Sequence, residues 1–419
     1  MICPSCQAQV AVEGGWTPWC EACGWNVDPN PPDPSPFRMV RWWQRRINRE
    51  ERHELEALLA RPEIVPPGSP MSGLAFAIAI TIQLGTVVVA ALAVAVWFTG
   101  FAAVLKVVVS VILGLLVVGV VPVRRRQPRP NGWVRSDAPA LFALLDAVGA
   151  AIGSRAPDRV VVDAEIQAAV GRLRGEIVLT IGLPLWLLLD DDGRVAVLGH
   201  ELGHLVNDDI RRRWLIVWSR RSASKWVNLF WPGPSPTQQK MQRRRYRIGR
   251  SGAGGLAGYI QHLVLAPFFA AALAGASTYR AVLTRAGHRA EYRADRIGAL
   301  AGGTNGMAGA IDVLWIRDIV AASLRTAARR GDEHPLLDLP RLVAEVPEQE
   351  RERLRRRAAL RLQRVDDDHP PTAMRAEYIA ATPLEPATRL DGSLVAAADA
   401  EVRSALPEVE RELRTLMLR

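Results

Sequence analysis

Cysteine, histidine and lysine are scarce in this chain of 419 residues, and the few that occur are informative by position. The four cysteines all lie within the first 23 residues, and only seven histidines are present. Lysine occurs only as Lys106, Lys225 and Lys240, so the basic residues are nearly all arginine; this bias is compositional and indicates no site. The sequence contains no Walker phosphate loop and no long internal repeat, which excludes P-loop nucleotide chemistry and a solenoid of repeats.

Charge is missing from a long apolar segment in the first third of the chain. The segment 73–98 has no charged residue along its whole length and is long enough to cross a bilayer as a helix. A second apolar run, 101–123, carries one charge, Lys106, near its start, where an ammonium reaches the membrane interface. The two runs predict a transmembrane hairpin over 71–123, and neither lies where a cleavable signal peptide would.

Arginines flank this predicted hairpin on both sides. They are Arg38, Arg41, Arg45, Arg46 and Arg49 before it, and Arg124, Arg125, Arg126 and Arg129 after it. Positively charged flanks stay in the cytoplasm, so we expect a multi-pass protein of the cell membrane whose N-terminus is cytoplasmic. Contact with anionic lipid headgroups then explains the net charge of +10, and a nucleic-acid partner is not expected.

The four cysteines form two CxxC pairs, Cys3 with Cys6 and Cys20 with Cys23. Four thiolates at this spacing suit one tetrahedral zinc ion, so residues 1–26 are predicted to form a zinc ribbon around a structural zinc. Two disulfides are the alternative, but they need an oxidising compartment, whereas the arginine flanks place this end in the cytoplasm. Ribbons of this kind often serve as docking or nucleic-acid-binding modules, and the sequence does not say which. A regulatory or partner-binding role with an unknown partner is a hypothesis that rests only on the separateness of the ribbon.

A linker, residues 27–70, joins the predicted ribbon to the hairpin. Its first part, 27–36, is rich in proline and is expected to be a stiff, extended spacer. Its second part, 37–62, has the pattern of a basic helix, which either lies on the membrane surface through Trp42 and Trp43 or is simply solvated.

The run His200-Glu201-Leu202-Gly203-His204 places two imidazoles one helical turn apart, with a carboxylate beside the first. Positions i and i+4 of a helix share a face, so His200 and His204 can bind one zinc ion while Glu201 acts as general base. Composition alone would produce about 0.006 such motifs in a chain of this length. A surface pair of histidines is therefore the weaker interpretation, and the pattern predicts a zinc metallopeptidase.

A catalytic zinc needs a third protein ligand, and Glu291 is the candidate. Asp295 follows it by one helical turn, so Glu291 can bind the metal while Asp295 accepts a hydrogen bond from a ligand histidine. An ExxxD pattern alone is also usual on solvated helices. The HELGH run elsewhere in the chain is what favours the ligand interpretation.

The residues that precede the HELGH run predict a helix and then a small sheet. A helical pattern covers 139–153, and three apolar or alternating runs at 159–163, 166–172 and 175–181 predict antiparallel strands. The HELGH helix is expected over 194–207. The predicted fold class is a mainly α membrane protein with a small antiparallel β-sheet, in which an α+β catalytic domain over 131–380 holds a hydrophobic insertion at 214–279 and a helical tail follows over 381–419.

Three motifs in this order resemble the integral-membrane zinc endopeptidases of the gluzincin type that include the HtpX heat-shock protease and the CAAX prenyl endopeptidases. They are the HELGH run, the sequence EYRADRIGA at 291–299 with Ala301-Gly302 after it, and HPPTAMR at 369–375, which looks like the family's HPPxxxR element. The resemblance covers about 131–380. It implies zinc ligation by His200, His204 and Glu291, water activation by Glu201, a supporting role for Asp295, stabilisation of the tetrahedral intermediate by His369, and an oxyanion or structural role for Arg375.

Two positions affect how far this resemblance extends. The family pairs its substrate with an edge strand that carries an Asn-Ala sequence, and the aligned residues here are Gln167 and Ala168. A second His-Pro pair begins at His334 and weakly imitates the later motif, so His334 competes with His369. The ribbon and the Pro-rich linker are additions to the family pattern.

The segment between His204 and Glu291 is constrained by topology. Both residues must reach the same metal, so the chain between them crosses the membrane twice or not at all. The stretch 214–231 carries Arg220 and Arg221 near its centre, and the loop after it is rich in arginine, both of which oppose crossing. The resemblance favours four spans; we expect two firm spans and a pair of interfacial helices at 214–231 and 254–279.

These patterns predict a membrane-bound zinc endopeptidase that cleaves misfolded or membrane proteins at the cytoplasmic membrane face, in membrane protein quality control. Two alternatives stay open: a sensor-transducer protease that makes one regulatory cleavage, and an inactive zinc-binding membrane scaffold, which Gln167 permits. The expected cofactors are one catalytic and one structural zinc ion. The expected partners are polypeptide substrates, the lipid bilayer and an unknown partner of the ribbon.

Overall fold

A computed structural model describes residues 1–31, 38–60, 70–122, 132–206, 209–230, 255–362 and 369–417. The chain divides into two compact units. The first unit comprises Met1–Pro67, Gln127–Ile210 and Gly287–Arg419, and the second comprises Gly68–Arg126 and Arg211–Ala286. The described residues are mostly helical, as predicted, with a small sheet in the first unit.

Helices and strands are numbered in chain order. The helices are α1 (Arg38–Leu59), α2 (Pro70–Ala95), α3 (Ala103–Val120), α4 (Pro139–Ile152), α5 (Leu183–Leu188), α6 (Asp191–Val206), α7 (Asp209–Leu229), α8 (Gly255–Trp315), α9 (Arg317–Arg330), α10 (Leu339–Ala344), α11 (Glu348–Arg361), α12 (Thr372–Ala381), α13 (Gly392–Arg403) and α14 (Leu406–Met417). The strands are β1 (Arg159–Asp163), β2 (Ala168–Leu173) and β3 (Glu176–Gly182).

Helices α2 and α3 form a hairpin within the second unit. Among the described residues, only the helical stretches Gly73–Phe98 and Ala103–Val120 are long and apolar enough to cross a membrane. Few of their side chains are buried inside the protein, 11% and 6% of the residues in their most apolar windows. The Lys106 ammonium donates a hydrogen bond to the Trp97 carbonyl, 3.2 Å away, so the one charge in α3 is held at the turn of the hairpin.

The core of the first unit lies between α4, the sheet, α5, α6 and the C-terminal helices. Leu141, Leu179 and Leu198 are fully buried in it. Helices α13 and α14, from the predicted tail, add Val402 and Leu413 to the same core. Burial of these apolar side chains supplies the main driving force for packing the site-bearing helices together.

The sheet is mixed, so the prediction of an antiparallel sheet was wrong for one of its two strand pairs. Strand β3 is central: β2 pairs with it antiparallel and β1 pairs with it parallel. A two-residue turn of Arg174 and Gly175, both with positive φ, closes the β2–β3 hairpin as expected of a type I′ turn. Residues 164–167 connect β1 to β2 and must cross from one side of β3 to the other, a distance of roughly 10 Å. The alternation of apolar residues along a strand does not predict such a connection.

Helix α6 begins at Asp191, three residues before its predicted start. The carboxylate of Asp190 accepts the N–H of Gly193 at 2.8 Å, so this acidic sequence caps the start of α6. Glycines then bring α6 close to α8: a Cβ on Gly199 would lie 2.5 Å from the Ala301 Cβ, and one on Gly302 would lie 2.3 Å from the Asp192 carbonyl oxygen. Only glycine permits this crossing.

Helix α1 is packed into the first unit at its C-terminal end, where Leu55 is fully buried with Tyr292 and Tyr378. A purely solvated helix is therefore wrong for this part of the linker. The spacer residues 32–36 and the side chains of Trp42 and Trp43 lie outside the described residues, as does the arginine-rich loop 231–254.

Candidate functional site

Helix α6 carries the HELGH residues. His200 and Glu201 are buried, and His204 is half-buried one turn later on the same face. The two imidazole rings meet edge to face, with centroids 5.0 Å apart and planes at 86°. This arrangement leaves both rings directed at one point beside the helix.

Helix α8 brings Glu291 to that point. Its carboxylate oxygens lie 3.6 Å from His200 Nε2 and 3.4 Å from His204 Nε2. The edge of a tetrahedron with metal bonds of about 2.1 Å is about 3.4 Å. The two distances from Glu291 to the imidazoles are close to this edge length. One ligand atom from each of the three residues lies within 4.8 Å of the other two, so the three side chains can hold a single metal ion.

The electrostatics of the three residues also suit a cation. Burial opposes charge on His200, but Asp295 and Glu291 outweigh it and raise the pKa of His200. Burial likewise opposes charge on Glu291, but the surrounding histidines lower its pKa. Within the described part of the chain, Glu291 Oε2 is buried without a hydrogen-bond partner. A divalent cation would satisfy this oxygen and the two imidazoles together.

Asp295 and Arg375 form a buried pair behind His200. Asp295 Oδ1 lies 3.0 Å from His200 Nδ1, within hydrogen-bond distance and on the side of the ring away from the metal position. The Arg375 guanidinium donates two hydrogen bonds to Asp295, 2.8 and 2.5 Å long, and the pair is almost fully buried. Burial would raise the pKa of Asp295, but Arg375 holds it well below its usual range. Of the two roles expected for Arg375, this geometry favours the structural one.

Of the two competing histidines, the structure brings His369 to the site. Its Nε2 lies 3.3 Å from Glu291 Oε2, and its side chain keeps 29% of its surface exposed, as suits a group that meets substrate. His334 instead lies 3.1 Å from the carboxylate of Glu410, a residue of α14. The carboxylate of Glu410 also accepts the N–H of Leu336, so His334 belongs to a structural contact.

The edge strand β2 contacts Glu201, the predicted general base, directly. The buried N–H of Val170 donates a 2.8 Å hydrogen bond to Glu201 Oε2. Ala168, at the start of β2, shares the outward orientation because backbone groups in an antiparallel pair alternate between partner and edge. Gln167 precedes the strand and is exposed, and its backbone carbonyl accepts the N–H of Gly182 in β3. Val170 was not predicted as a site residue, although its position two residues after Ala168 could have indicated it.

The four cysteines meet in the ribbon, apart from the histidine site. The Sγ atoms of Cys3 and Cys23 are 3.7 Å apart and those of Cys6 and Cys20 are 3.5 Å apart. Zinc–sulfur bonds of about 2.3 Å imply sulfur separations of about 3.8 Å. The four thiols therefore have the arrangement of a tetrahedral metal site.

Two histidines and a glutamate on one helix, a carboxylate ligand from a second helix and a further histidine beside them define a metallopeptidase of the HExxH type. The family model of Peptidase family M48 matches residues 135–382, so the chain belongs to this family of zinc-dependent metallopeptidases, as predicted. No curated protein and no solved structure matches the chain. The match leaves out the ribbon, which is an addition to the family.

Proposed function

We propose that this protein is a membrane-bound zinc endopeptidase. The observation that carries the proposal is the convergence of the α6 histidines and Glu291 on one point, with Glu201 and His369 beside it. A zinc ion bound by His200, His204 and Glu291 would polarise a peptide carbonyl and acidify a water molecule.

The protein side chains would supply the proton transfers. Glu201 is held by the Val170 N–H through one oxygen, so its position is fixed when it takes a proton from the attacking water. The same carboxyl group then returns the proton to the leaving amide nitrogen. His369 would donate a hydrogen bond to the oxygen that becomes negatively charged.

The edge of β2 favours an extended polypeptide as substrate. Its outward backbone groups belong to Ala168, Val170 and Arg172, and the N–H of Val170 is already bonded to Glu201. A peptide strand can add to such an edge through main-chain hydrogen bonds to the other outward groups. Main-chain pairing carries little side-chain selectivity, so unfolded segments of many sequences would fit. This supports a role in quality control of membrane or misfolded proteins.

The hairpin of α2 and α3 supports a membrane location. The α2 helix of 26 residues is about 39 Å long at 1.5 Å per residue, and the apolar side chains along both helices are largely exposed. The arginines on both flanks support a cytoplasmic catalytic site.

Replacement of Glu201 by Gln tests the proposal. The amide oxygen can still accept the Val170 N–H, so folding and zinc content should be retained while peptide hydrolysis falls by at least ~10²-fold. Purified wild type and variant would be compared by metal analysis and by cleavage of an unfolded protein substrate. Glu345→Gln, which changes an exposed carboxylate in the same unit, is the matched control. Equal turnover by wild type and Glu201→Gln would refute the proposed mechanism.

A further inference from the structure

The ribbon is packed against α11, a helix whose dense Glu and Arg pattern predicts a solvated face. The Trp19 indole N–H donates to the Gln349 carbonyl at 3.0 Å, and the Arg356 guanidinium lies 4.9 Å from the Trp19 ring centroid. Arg361 makes two hydrogen bonds to the Asp28 carboxylate, 2.7 and 2.5 Å long. The prediction of a solvated α11 is thus wrong for the face that meets the ribbon.

A buried ion pair lies under this contact. Arg353 and Glu350 are joined by two hydrogen bonds and are both buried, and Arg353 also donates at 2.9 Å to the carbonyl of Val27, the first residue after the ribbon. A buried pair of this kind needs its remaining donors satisfied, and the Val27 carbonyl accepts one of them. The contact is therefore specific: cationic side chains of α11 meet the Trp19 ring of the ribbon, and the Val27 carbonyl and Asp28 carboxylate that directly follow the ribbon.

The opposite face of α11 packs towards the catalytic residues. Ala358 of α11 is buried in one cluster with Tyr292 of α8 and Met374 of α12. Tyr292 is next to Glu291 in the sequence, and Met374 is next to Arg375. Helix α11 thus lies between the ribbon on one side and α8 and α12 on the other. Helix α8 carries Glu291 and Asp295, and α12 carries Arg375.

The ribbon cannot maintain its docking face through apolar packing alone. Its buried apolar cluster consists of Cys3, Val10 and Cys20, with Ala8 and Trp25 packed against it. So few side chains do not offset the conformational entropy of ordering about thirty residues. In a domain of this size the metal supplies most of the folding free energy.

We propose that zinc binding by Cys3, Cys6, Cys20 and Cys23 builds a docking surface for the chain's own α11, and that this internal docking positions the catalytic residues. The partner of the ribbon is then α11 of the same chain. The activity part of this proposal rests on the proposed endopeptidase function, whereas the docking part does not.

Two variants of the full-length protein and one control test it. Cys6→Ser removes one thiolate, and the pair Arg356→Ala with Arg361→Ala removes two of the α11 side chains in the contact while leaving the cysteines intact. Leu360→Ala is the matched control, because Leu360 lies on the same helix and its side chain is 71% exposed. Each protein would be examined for zinc per chain, for amide hydrogen exchange in α11 and for kcat and KM on an unfolded substrate.

We expect Cys6→Ser to lose one zinc ion per chain and the Arg pair to lose none. Both should speed exchange in α11 by at least ~10-fold, because local unfolding costs less without the contact. Both should lower kcat by about 5-fold or more while KM stays within about 2-fold, because the β2 edge is unchanged. Leu360→Ala should match wild type in all three measurements.

Zinc content that is unchanged in Cys6→Ser, or exchange in α11 that is unchanged in both variants, would overturn the docking. Faster exchange with an unchanged kcat would overturn the coupling to the active site and leave the proposed function intact. A wild-type protein without peptidase activity would refute the proposed function, while zinc content and exchange would still decide whether the ribbon docks.

Discussion

The buried pair of Arg375 and Asp295 offers the sharpest test of how the site is held together. Arg375→Met keeps most of the side-chain volume but leaves the Asp295 carboxylate buried without its partner. Both residues are nearly inaccessible to solvent and share two hydrogen bonds. Removal of one partner from such a pair costs about 3–5 kcal/mol, which corresponds to a fall in Tm on the order of 10 °C.

Thermal and denaturant unfolding of the purified protein would measure this loss. Arg403→Met is a matched control, because Arg403 pairs with Asp399 near the surface and the change should cost about 1 kcal/mol or less.

Since the pKa of Asp295 is depressed, the stabilising contribution of the pair is fully present above its ordinary pKa of 3.8 and is lost as pH falls below that value.

A double variant separates the pair from the effects of each residue alone. Asp295→Asn removes the charge, while its amide oxygen still faces His200. The double variant with Arg375→Met should therefore lose less free energy of unfolding than the two single variants lose together, by about 1–3 kcal/mol. Zinc affinity should fall about 10- to 100-fold in Arg375→Met, because Asp295 would no longer be held against His200. A single variant within about 1 kcal/mol of wild type, or strict additivity in the double variant, would refute this account.

Two further predictions concern the helix crossing and the membrane hairpin. Gly302→Val should lower the free energy of unfolding by about 3 kcal/mol or more and weaken zinc binding, because its Cβ would meet the Asp192 carbonyl oxygen at 2.3 Å. Gly309→Ala is the control, because a Cβ there would meet no atom within 4 Å among the described residues. In the same unfolding and metal assays it should be neutral or slightly stabilising. A topology reporter inserted after Gly100 should behave as extracytoplasmic and one fused at Pro236 as cytoplasmic, and an extracytoplasmic signal at Pro236 would instead favour four crossings.

The candidate metal ligands could be predicted because they lie in short patterns. The spacing of His200 and His204 places them on one face of a helix. Glu291 was favoured because a catalytic zinc needs a third ligand and the HELGH run is present elsewhere in the chain. The structure brings the three side chains together as expected, through the close crossing of α6 and α8 at Gly199 and Gly302.

The contacts that act over long distances in the sequence could not be predicted. Arg375 lies 80 residues from Asp295, and nothing local in either motif distinguishes a donor to an oxyanion from a donor to a buried carboxylate. The docking of the ribbon on α11 was missed for a related reason, since Glu and Arg at helical spacing are typical of solvated faces and also of polar interfaces. Packing decides between these alternatives, and packing is not encoded in a short pattern.

The hydrogen bond from Val170 to Glu201 has a consequence for the alignment of β2. Edge strands are prone to slip, because only one side of the strand is paired. A slip of one residue would turn the Val170 N–H towards β3 and leave the buried Glu201 carboxylate without that donor, at a cost of about 1–3 kcal/mol. Glu201 therefore also fixes the register of β2, and with it the set of backbone groups that β2 presents at its outer edge.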